Sequence, residues 1–545
     1  MNKVRNIALS GMSVMMLGLV VACGDGPPPP EGPEQNGSEA DQPSGDEAGM
    51  PTEGGTITAA LGGDPQTMDQ GVNSGALTNL VAWNIFESLF AMDEEYLPQP
   101  MLAESYDVSE DGLEYTIHLR DGVVFHNGDS MNSSDVVASL QRWTEVSATG
   151  QQAGEAIESI AAVDELTVSI TLSVPRYSLI SDLAFTTQMA IIIPEEIADE
   201  VGTTPMNAEQ TVGTGPYQLA EYNEGQHVLL ERFDEYASLE DDLGGFAGAK
   251  HAWADEIEYV FVPDETQRFN GVQTGQFDWV QSINADDYES ARNHESLNAI
   301  PSARGTINTV LVNHNESSLF DDVRAREAIN LIIDKDVFAA ATFGPEWVWE
   351  PLSNSFVSPD NATMYSDAGE DIFFDYDPDR AAELFAEAGI DGSEPIRMLT
   401  SQTYPQFYQW AVMIQAELDE LGIPMEIDVY DYPTIADMRS SEPESWDLST
   451  SFFTGAVTSP DQILWLGGDW AGEYSNDERD ELMAQYQEST SPEEALAVAT
   501  EIQQLVYEDF PVVQLGHVSE VNVHSAELIF PDDWTNVLYN AGYGE

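Results

Sequence analysis

Cys23 is the residue of this sequence with the most specific chemistry. It is the only cysteine among 545 residues and directly follows the small and apolar residues 19–22, Leu-Val-Val-Ala. Lys3 and Arg5 precede an apolar stretch over residues 7–22, which is shorter than the roughly 20 residues that cross a bilayer. This pattern is typical of a bacterial lipoprotein signal. We therefore expect a signal peptide over residues 1–22 and a lipid on Cys23, with an uncleaved helical anchor or a chance buried thiol as alternatives.

The remaining reactive side chains do not form a catalytic pattern. The sequence contains no Gly-x-Ser-x-Gly and no His-Glu-x-x-His, and the nearest approach, residues 294–298, lacks the second histidine. The eight histidines are scattered, so no His and Cys cluster of the zinc type is visible. With 98 acids, close pairs of carboxylates arise by chance. We expect no catalytic residue, no metal and no cofactor.

The charge of the chain is extreme, with 17 bases against 98 acids and a net charge of −81. Without Lys3, Arg5 and the eight acids of residues 25–53, 15 bases face 90 acids, which leaves −75. Such a surface excludes nucleic acid as a partner, because phosphate contacts need Lys and Arg. Self-repulsion at this charge destabilises a compact state unless salt screens it, and at molar salt the Debye length is about 3 Å. The composition indicates a halophilic habitat; a cation store, the alternative, lacks clustered ligand spacing.

Residues 23–53 are expected to form a disordered tether. They contain four consecutive prolines at 27–30 and eight acids, no base and almost nothing apolar. A segment of this kind buries too little apolar surface to offset its ordering entropy. The roughly 490 residues after it are enough for two or three domains.

Local patterns in this part of the chain predict both strands and helices. Residues 114–120 alternate Tyr, Ile and Leu on one face between two Asp-Gly turns, which predicts a strand. Asp377 and Pro378 predict the start of a helix that ends at Gly389. Ser491 and Glu494 have the spacing of a capping box before another helix. Strands and helices are interspersed, so the fold class is α/β.

Several motifs together resemble a known family. They are Pro-Met-Leu-Ala-Glu-Ser at 100–105, Leu-Arg-Asp-Gly-Val-Val-Phe-His-Asn-Gly at 119–128, Asp-Val-Val at 135–137, Val-Gly-Thr-Gly-Pro-Tyr at 212–217, Gly-Gln-Phe-Asp at 275–278, Val-Arg-Ala-Arg-Glu-Ala-Ile at 323–329 with Asp-Lys at 334–335, and residues 376–389. In this order they resemble the family-five solute-binding proteins of ABC importers, which bind dipeptides, oligopeptides or nickel. The resemblance covers nearly the whole chain from Gly54 onward.

The resemblance implies a two-lobed periplasmic-binding-protein fold of type II, in its three-domain variant, with a hinge between the lobes. Domain I is expected over 54–90 with 211–305 and 516–545, domain II over 91–210, and domain III, the second lobe, over 306–515. A protein of this kind is an extracytoplasmic monomer that delivers a solute to the transmembrane subunits of an ABC permease. The lipid on Cys23 would hold it at the membrane, on the periplasmic or cell-surface side.

The resemblance also implies the walls of the cleft. The expected ligand-binding positions are Asn73, Ser74, Gln281, Ser282, Tyr404, Phe452, Phe453, Thr454 and Ala456. Because neighbours on a strand point to opposite sides, at most one of Phe452 and Phe453 is expected to face the cleft. For other motif residues a structural role is expected first: a backbone turn for Gly213 and Gly215, ion pairs for Arg120 and Arg324, and a cap or a pairing within its helix for Asp334.

The class of solute is open at the level of sequence. In family members that take peptides, an aspartate nine residues beyond a Tyr-Asp or Trp-Asp pair receives the peptide ammonium, and here that position is Ala456. A buried ammonium without a counter-charge costs several kcal/mol, although Asp461 or another acid could substitute. We expect an oligopeptide-like solute, with an oligosaccharide, a metal chelate or an opine-like compound as alternatives. A secreted hydrolase and a structural lipoprotein are the remote alternatives.

Overall fold

The computed structural model describes residues 50–544 apart from 302–305, 344–351, 359–360, 362, 455–456, 468–469, 519–520, 531–534 and 536. Cys23, the signal peptide and nearly all of the tether therefore lie outside the described residues, and so does Ala456. Within the described ranges, no helix is both long and apolar enough to cross a membrane.

The strands and helices alternate along the chain. The strands are β1 (Thr56–Leu61), β2 (Phe90–Met92), β3 (Pro98–Pro100), β4 (Ala103–Val108), β5 (Glu114–Leu119), β6 (Ile157–Asp164), β7 (Thr167–Leu172), β8 (Tyr217–Asn223), β9 (His227–Arg232), β10 (Glu256–Phe261), β11 (Trp279–Val280), β12 (Leu297–Pro301), β13 (Thr306–Val312), β14 (Ile396–Ser401), β15 (Met425–Tyr430), β16 (Leu448–Thr454), β17 (Val512–Val518), β18 (Val521–Ser525), β19 (Leu528–Ile529) and β20 (Gly542–Tyr543). The α-helices are α1 (Ala76–Ala82), α2 (Ser133–Val146), α3 (Ala148–Ala156), α4 (Leu179–Leu183), α5 (Glu195–Val201), α6 (Glu265–Gln273), α7 (Tyr288–Arg292), α8 (Val323–Leu331), α9 (Lys335–Phe343), α10 (Glu370–Phe373), α11 (Pro378–Glu387), α12 (Pro405–Glu420), α13 (Tyr432–Ser441), α14 (Asp477–Gln487) and α15 (Pro492–Asp509). This mixture confirms the predicted α/β class.

A seven-stranded sheet has the order β12-β18-β11-β1-β10-β9-β8. β1 pairs in parallel with β10 and β11, and the other neighbours are antiparallel. The side chains of successive β1 residues point to opposite faces of the sheet, because side chains alternate along a strand. Ile57, Ala59 and Leu61 pack into one core, and Ala60 packs into a second core that contains Phe269. The central strand is therefore covered on both sides.

A four-stranded antiparallel sheet has the order β4-β5-β7-β6. Tyr115, Ile117 and Leu119 of β5 are buried in one core together with Leu140 and Trp143 of α2. We refer to this sheet and the seven-stranded sheet, with their helices, as the first lobe.

A five-stranded sheet, which with its helices forms the second lobe, has the order β15-β14-β16-β13-β17. β14 is parallel to β15 and β16, and β13 is antiparallel to β16 and β17. Val310 and Val312 face a core that contains Phe385 and Trp410. Leu311 faces the other side, in a core that also contains Phe185 of the first lobe.

The chain passes between the seven- and five-stranded sheets twice, once from β12 to β13 and once from β17 to β18. The seven-stranded sheet draws its strands from the three segments predicted for domain I, and β4–β7 lie within the segment predicted for domain II. β13–β17 lie in the domain III segment, except that β17 extends to Val518. The exact domain limits stay a prediction.

Two motifs of the family resemblance contact each other, which explains why glycines recur in one of them. The Gly213 N–H donates to Nδ1 of His126 at 3.2 Å, and Nε2 of His126 lies 3.0 Å from the Gly215 carbonyl oxygen. Burial lowers the pKa of His126 to about 4, so the ring is neutral at pH 7. A Cβ on Gly213 would lie 2.2 Å from the Ile85 carbonyl oxygen. The glycines therefore shape a backbone turn, as predicted.

The predicted local signals agree with the observed elements, with one correction. β5 covers Glu114–Leu119, and Asp377 caps α11 by accepting from the Arg380 N–H at 2.9 Å. Ser491 caps α15 through the Glu494 N–H at 3.2 Å. The reciprocal bond of a capping box is absent at this described terminus, because the Glu494 carboxylate accepts from the Thr490 N–H at 3.0 Å instead.

Candidate functional site

The carboxyl ends of the parallel strands β1, β10 and β11 form one edge of the first lobe. Ligands of open α/β sheets bind at such edges, because the loops that leave the strands there enclose a crevice. Gln281 and Ser282 directly follow β11, and Gly62 follows β1. The structure thus places these two predicted residues at the edge where a ligand of this sheet would lie.

Arg268 fixes this edge. Its guanidinium donates to the carbonyl oxygens of Val262, Gln281 and Ser282 at 2.8–2.9 Å. The Gln281 Oε1 accepts from the Gly62 N–H at 3.1 Å. The Ser282 N–H donates to the Asn522 side chain at 3.0 Å, and Ser282 has a φ of 46°. Gln281 and Ser282 are therefore rigidly positioned.

Asn73 and Ser74 lie in the loop between β1 and α1, which leaves the carboxyl end of β1. The Asn73 side chain accepts from the Gly75 N–H at 2.9 Å, and Ser74 is exposed. The loop is anchored by a buried ion pair in which Arg142 donates to both carboxylate oxygens of Asp69, at 3.2 and 2.6 Å. The loop is thus tied to α2, and its exposed tip faces solvent.

The second lobe presents aromatic rings at the carboxyl ends of β14, β15 and β16. Tyr404 follows β14, Tyr432 follows β15, and Phe452 lies near the end of β16. The Phe452 ring lies 5.0 Å from the Tyr404 ring, edge to face, and 5.8 Å from the Tyr432 ring, stacked. The structure therefore brings two predicted residues, Tyr404 and Phe452, into contact. These rings pack against the core that contains Trp410.

Phe453 points to the opposite side of the same sheet, as predicted for neighbours on a strand. It is half-buried, and its ring meets the Trp470 ring at 5.5 Å. It packs against the core that also contains Phe185 and borders Tyr177, both from the first lobe. Phe453 thus lies on the side of the second lobe that faces the first. The Thr454 side chain and Ala456 lie outside the described residues.

Asp461 is occupied by protein groups. Its Oδ2 lies 3.5 Å from an Arg176 guanidinium nitrogen, accepts from Ser178 Oγ at 3.4 Å and is bonded to the Gln487 amide. Burial, reinforced by the charge of Asp182, raises the pKa of Asp461 to about 6. The expectation that Asp461 could receive a peptide ammonium therefore finds no support, because its carboxylate already binds first-lobe side chains.

The other motif residues have structural roles. Arg324 pairs with Asp322 as predicted, and Asp334 caps α9 through the Val337 N–H at 3.1 Å. Arg120 differs from the ion pair predicted, because its guanidinium donates to backbone carbonyl oxygens, including that of Met101 at 2.9 Å. Lys335 is buried with its ammonium among three oxygens of Asn330 and Ile333, and burial lowers its pKa to about 7.

Two aromatic residues beside the predicted positions were not predicted from the sequence. Tyr432 lies two residues beyond the end of β15, a position that could have been recognised by analogy with Tyr404. Trp470 carries no local signal, because only the tertiary structure places its ring against Phe453. Among the described residues, no group of three or more His, Cys, Asp or Glu side chains could hold a metal ion.

Comparison with known proteins defines the family. The family described as bacterial extracellular solute-binding proteins, family 5 Middle, matches residues 98–475, more than half of the chain. A relative from Sinorhizobium fredii (strain NBRC 101917 / NGR234), named probable peptide ABC transporter periplasmic-binding protein y4tO, is 26% identical over 478 residues, which cover 84% of this chain and 88% of the relative. The glutathione-binding protein GsiB of Escherichia coli (strain K12) is 26% identical over 502 residues, covering 87% of this chain and 92% of that protein.

The fold is shared with solved periplasmic binding proteins. The structure of AgaA of Agrobacterium tumefaciens R10 in complex with agropinic acid has a TM-score of 0.75, at 24% identity, and the match covers 90% of this chain and 99% of AgaA. A match of this extent confirms the predicted two-lobed α/β fold. Since the family match runs through both lobes, the chain belongs to the family-5 bacterial extracellular solute-binding proteins, which serve ABC importers.

Proposed function

We propose that this protein captures a peptide-like solute between its two lobes and delivers it to the transmembrane subunits of an ABC permease. The observation that carries the solute class is the extent of the relatives' similarity. The probable peptide-binding relative and the glutathione-binding relative each align over more than four fifths of this chain. The family match over residues 98–475 includes Gln281 of the first lobe and Phe453 and Trp470 of the second.

The candidate cleft has the chemistry that a peptide-like solute needs. The first lobe offers the amide of Gln281 and the backbone around Ser282, held by Arg268. The second lobe offers the half-buried rings of Phe453 and Trp470. Polar groups that fix orientation, combined with aromatic rings, are the usual lining of small-molecule sites.

The amino end of such a solute would be bound differently from that of a peptide in relatives with an acid at position 456. Ala456 carries no charge, and Asp461 is ion-paired with Arg176 and hydrogen-bonded to Ser178 and Gln487. A solute whose ammonium stays solvated, or whose amino group is blocked, therefore fits this chain better than one that needs a buried counter-charge.

The experiment that tests the solute class is mass spectrometry of small molecules released when the purified protein is denatured, followed by calorimetry with the identified compound. Recovery of peptides that rebind stoichiometrically would support the proposal. Recovery of an oligosaccharide, a metal chelate or an opine-like compound would contradict the proposed peptide-like solute and identify that compound class instead. Turnover of the compound during incubation would contradict the expectation that the protein has no catalytic residue and would favour a secreted hydrolase.

The anchor and the location belong to the same proposal. Extracytoplasmic placement agrees with the periplasmic-binding proteins among the relatives, and the pattern before Cys23 supports a lipid on this residue. Substitution Cys23→Ser should release the protein from membranes or stall removal of the signal peptide. Unchanged membrane retention with a processed N-terminus would contradict acylation. We further propose that the protein is monomeric, binds no nucleic acid and works in high salt, as its charge of −81 suggests.

A further inference from the structure

One segment of the first lobe, residues 176–188, contacts both lobes. On the side of the first lobe, the Thr186 carbonyl oxygen accepts from the Trp83 indole N–H at 3.0 Å. On the other side, the Tyr177 N–H donates to the Gln487 carbonyl oxygen of α14 at 3.0 Å. The Ser178 N–H donates to the Gln487 side chain at 3.2 Å. The segment therefore joins the lobes through main-chain hydrogen bonds.

Polar side chains surround this junction. We call them the interlobe cluster: Arg176, Ser178 and Asp182 from the first lobe, and Asp461, Gln462 and Gln487 from the second. Arg176 Nε donates to Asp182 at 2.8 Å, and the Gln462 amide donates to the other Asp182 oxygen at 3.2 Å. The Tyr177 and Tyr486 rings close one side, edge to face at 5.7 Å. Asp182 is fully buried, and the Asp461 side chain is 14% exposed.

The interlobe cluster contains two carboxylates and one guanidinium. With both acids ionised, it carries a net charge of −1 in a buried place, which is unfavourable because the interior solvates charge poorly. Opening the lobes would expose Asp461 to water and remove this penalty. Among the described residues, the other ionisable groups that act on the cluster do not cancel this charge. Glu155 of α3 adds negative charge near Arg176, and Tyr115, Tyr177 and Tyr486 are neutral at pH 7 because burial raises their pKa.

We propose that the interlobe cluster is a pH-dependent latch between the lobes, which stabilises the closed cleft through contacts among the protein's own side chains. This role is separate from solute binding, because the latch acts on the solute-free protein. Any solute that needs the closed state then binds with an affinity scaled by the closed fraction.

The direction of the pH effect follows from the proton balance. Burial raises the pKa of Asp461 to about 6 when the lobes are together, whereas an exposed aspartate has a value of about 4. Closing therefore takes up a proton between these values, and the latch weakens as pH rises through 6. The linkage relation gives about a tenfold fall in the closing equilibrium between pH 5 and pH 7.

Hydrogen exchange of the solute-free, full-length protein tests the latch directly. The reporters are the amides of Tyr177 and Ser178, whose acceptors lie on the second lobe, and the amides of β5 serve as the reference for global opening. After correction for intrinsic exchange, protection of the reporters should fall about tenfold from pH 5 to pH 7. Asp461→Asn should retain high protection at both pH values, since the variant cluster has no net charge. Arg176→Gln should lower protection at least tenfold.

Glu383→Gln is the matched control, because it removes one negative charge from an exposed pair of the second lobe that lies outside the junction. It should leave the pH profile of the reporters unchanged. An Asp461→Asn profile identical to that of the unaltered protein would overturn the proposal. So would reporter protection equal to that of β5 at every pH, which would mean a permanent interface. If Arg176→Gln does not fold, the comparison of Asp461→Asn with Glu383→Gln still decides.

Discussion

Replacement of Phe453 by Ala, compared with Phe452→Ala, separates the cleft from the core of the second lobe. The two residues are adjacent on β16 and point to opposite sides of the sheet, so the pair controls for strand position and for side-chain size. Among the described residues, Phe452 has three ring neighbours, Tyr404 at 5.0 Å, Phe407 at 5.5 Å and Tyr432 at 5.8 Å. Phe453 has one ring neighbour in the described structure, Trp470 at 5.5 Å.

These contacts give different expected magnitudes. Removing a fully buried phenylalanine costs about 3–5 kcal/mol of stability, and each aromatic pair contributes about 0.5–1.5 kcal/mol. For the half-buried Phe452, we expect a loss of about 2–4 kcal/mol in the free energy of unfolding. For Phe453, with one ring contact, we expect about 1 kcal/mol. If its ring packs on the solute, Phe453→Ala should weaken binding by about 1–3 kcal/mol, or roughly 5- to 150-fold.

The assay combines denaturant unfolding with calorimetry of the solute identified by mass spectrometry, both in about 2 M KCl so that charge repulsion is screened. Phe453→Ala should lose affinity with little loss of stability, and Phe452→Ala should lose stability. A loss of more than about 3 kcal/mol in stability for Phe453→Ala, with unchanged affinity, would refute the reasoning and assign Phe453 to the core.

Three further predictions follow from the charge, the missing acid and the glycine turn. The thermal midpoint should rise steeply between about 0.1 M and 1 M salt as repulsion is screened, and a flat curve would contradict the halophilic interpretation. N-acetylation of a peptide solute should leave its affinity unchanged, because neither Ala456 nor the occupied Asp461 offers a free carboxylate to the peptide ammonium. A tenfold or larger loss of affinity, measured by calorimetry, would show that another carboxylate binds the ammonium. Gly213→Ala should lower the free energy of unfolding by about 3 kcal/mol or more, since the alanine Cβ would lie 2.2 Å from the Ile85 carbonyl oxygen. Gly225→Ala, which meets no atom within 4 Å, is the control for that variant and should cost about 1 kcal/mol through its φ of 73°.

Elements with strong local signals could be predicted from the sequence. β5 was predictable because its alternation and its flanking Asp-Gly turns lie within twelve residues, 111–122. The start of α11 was predictable because Asp377 and Pro378 act on the first turn of the helix that they begin. The prediction of a capping box at Ser491 was wrong for one hydrogen bond. The Glu494 carboxylate accepts from the Thr490 N–H instead of the Ser491 N–H, and the capping-box pattern does not include residue 490.

The candidate cleft was predictable only in part. The family motifs led to Gln281 and Phe453, but not to Trp470, and they also led to Tyr404 and Phe452, whose rings pack on the core of the second lobe. Motif comparison also did not give the orientation of Phe452 and Phe453, which depends on which core each side of the five-stranded sheet faces.

The sequence by itself determined the charge, the family and the local elements, because these depend on composition or on residues close together in the chain. Only the tertiary structure decided the role of Asp461. Its partner Ser178 lies 283 residues away, and no local pattern reports that the two lobes bring them together. The carboxylate that could have bound a solute instead meets Arg176, because docking of the lobes places a guanidinium there and the buried charges must be paired.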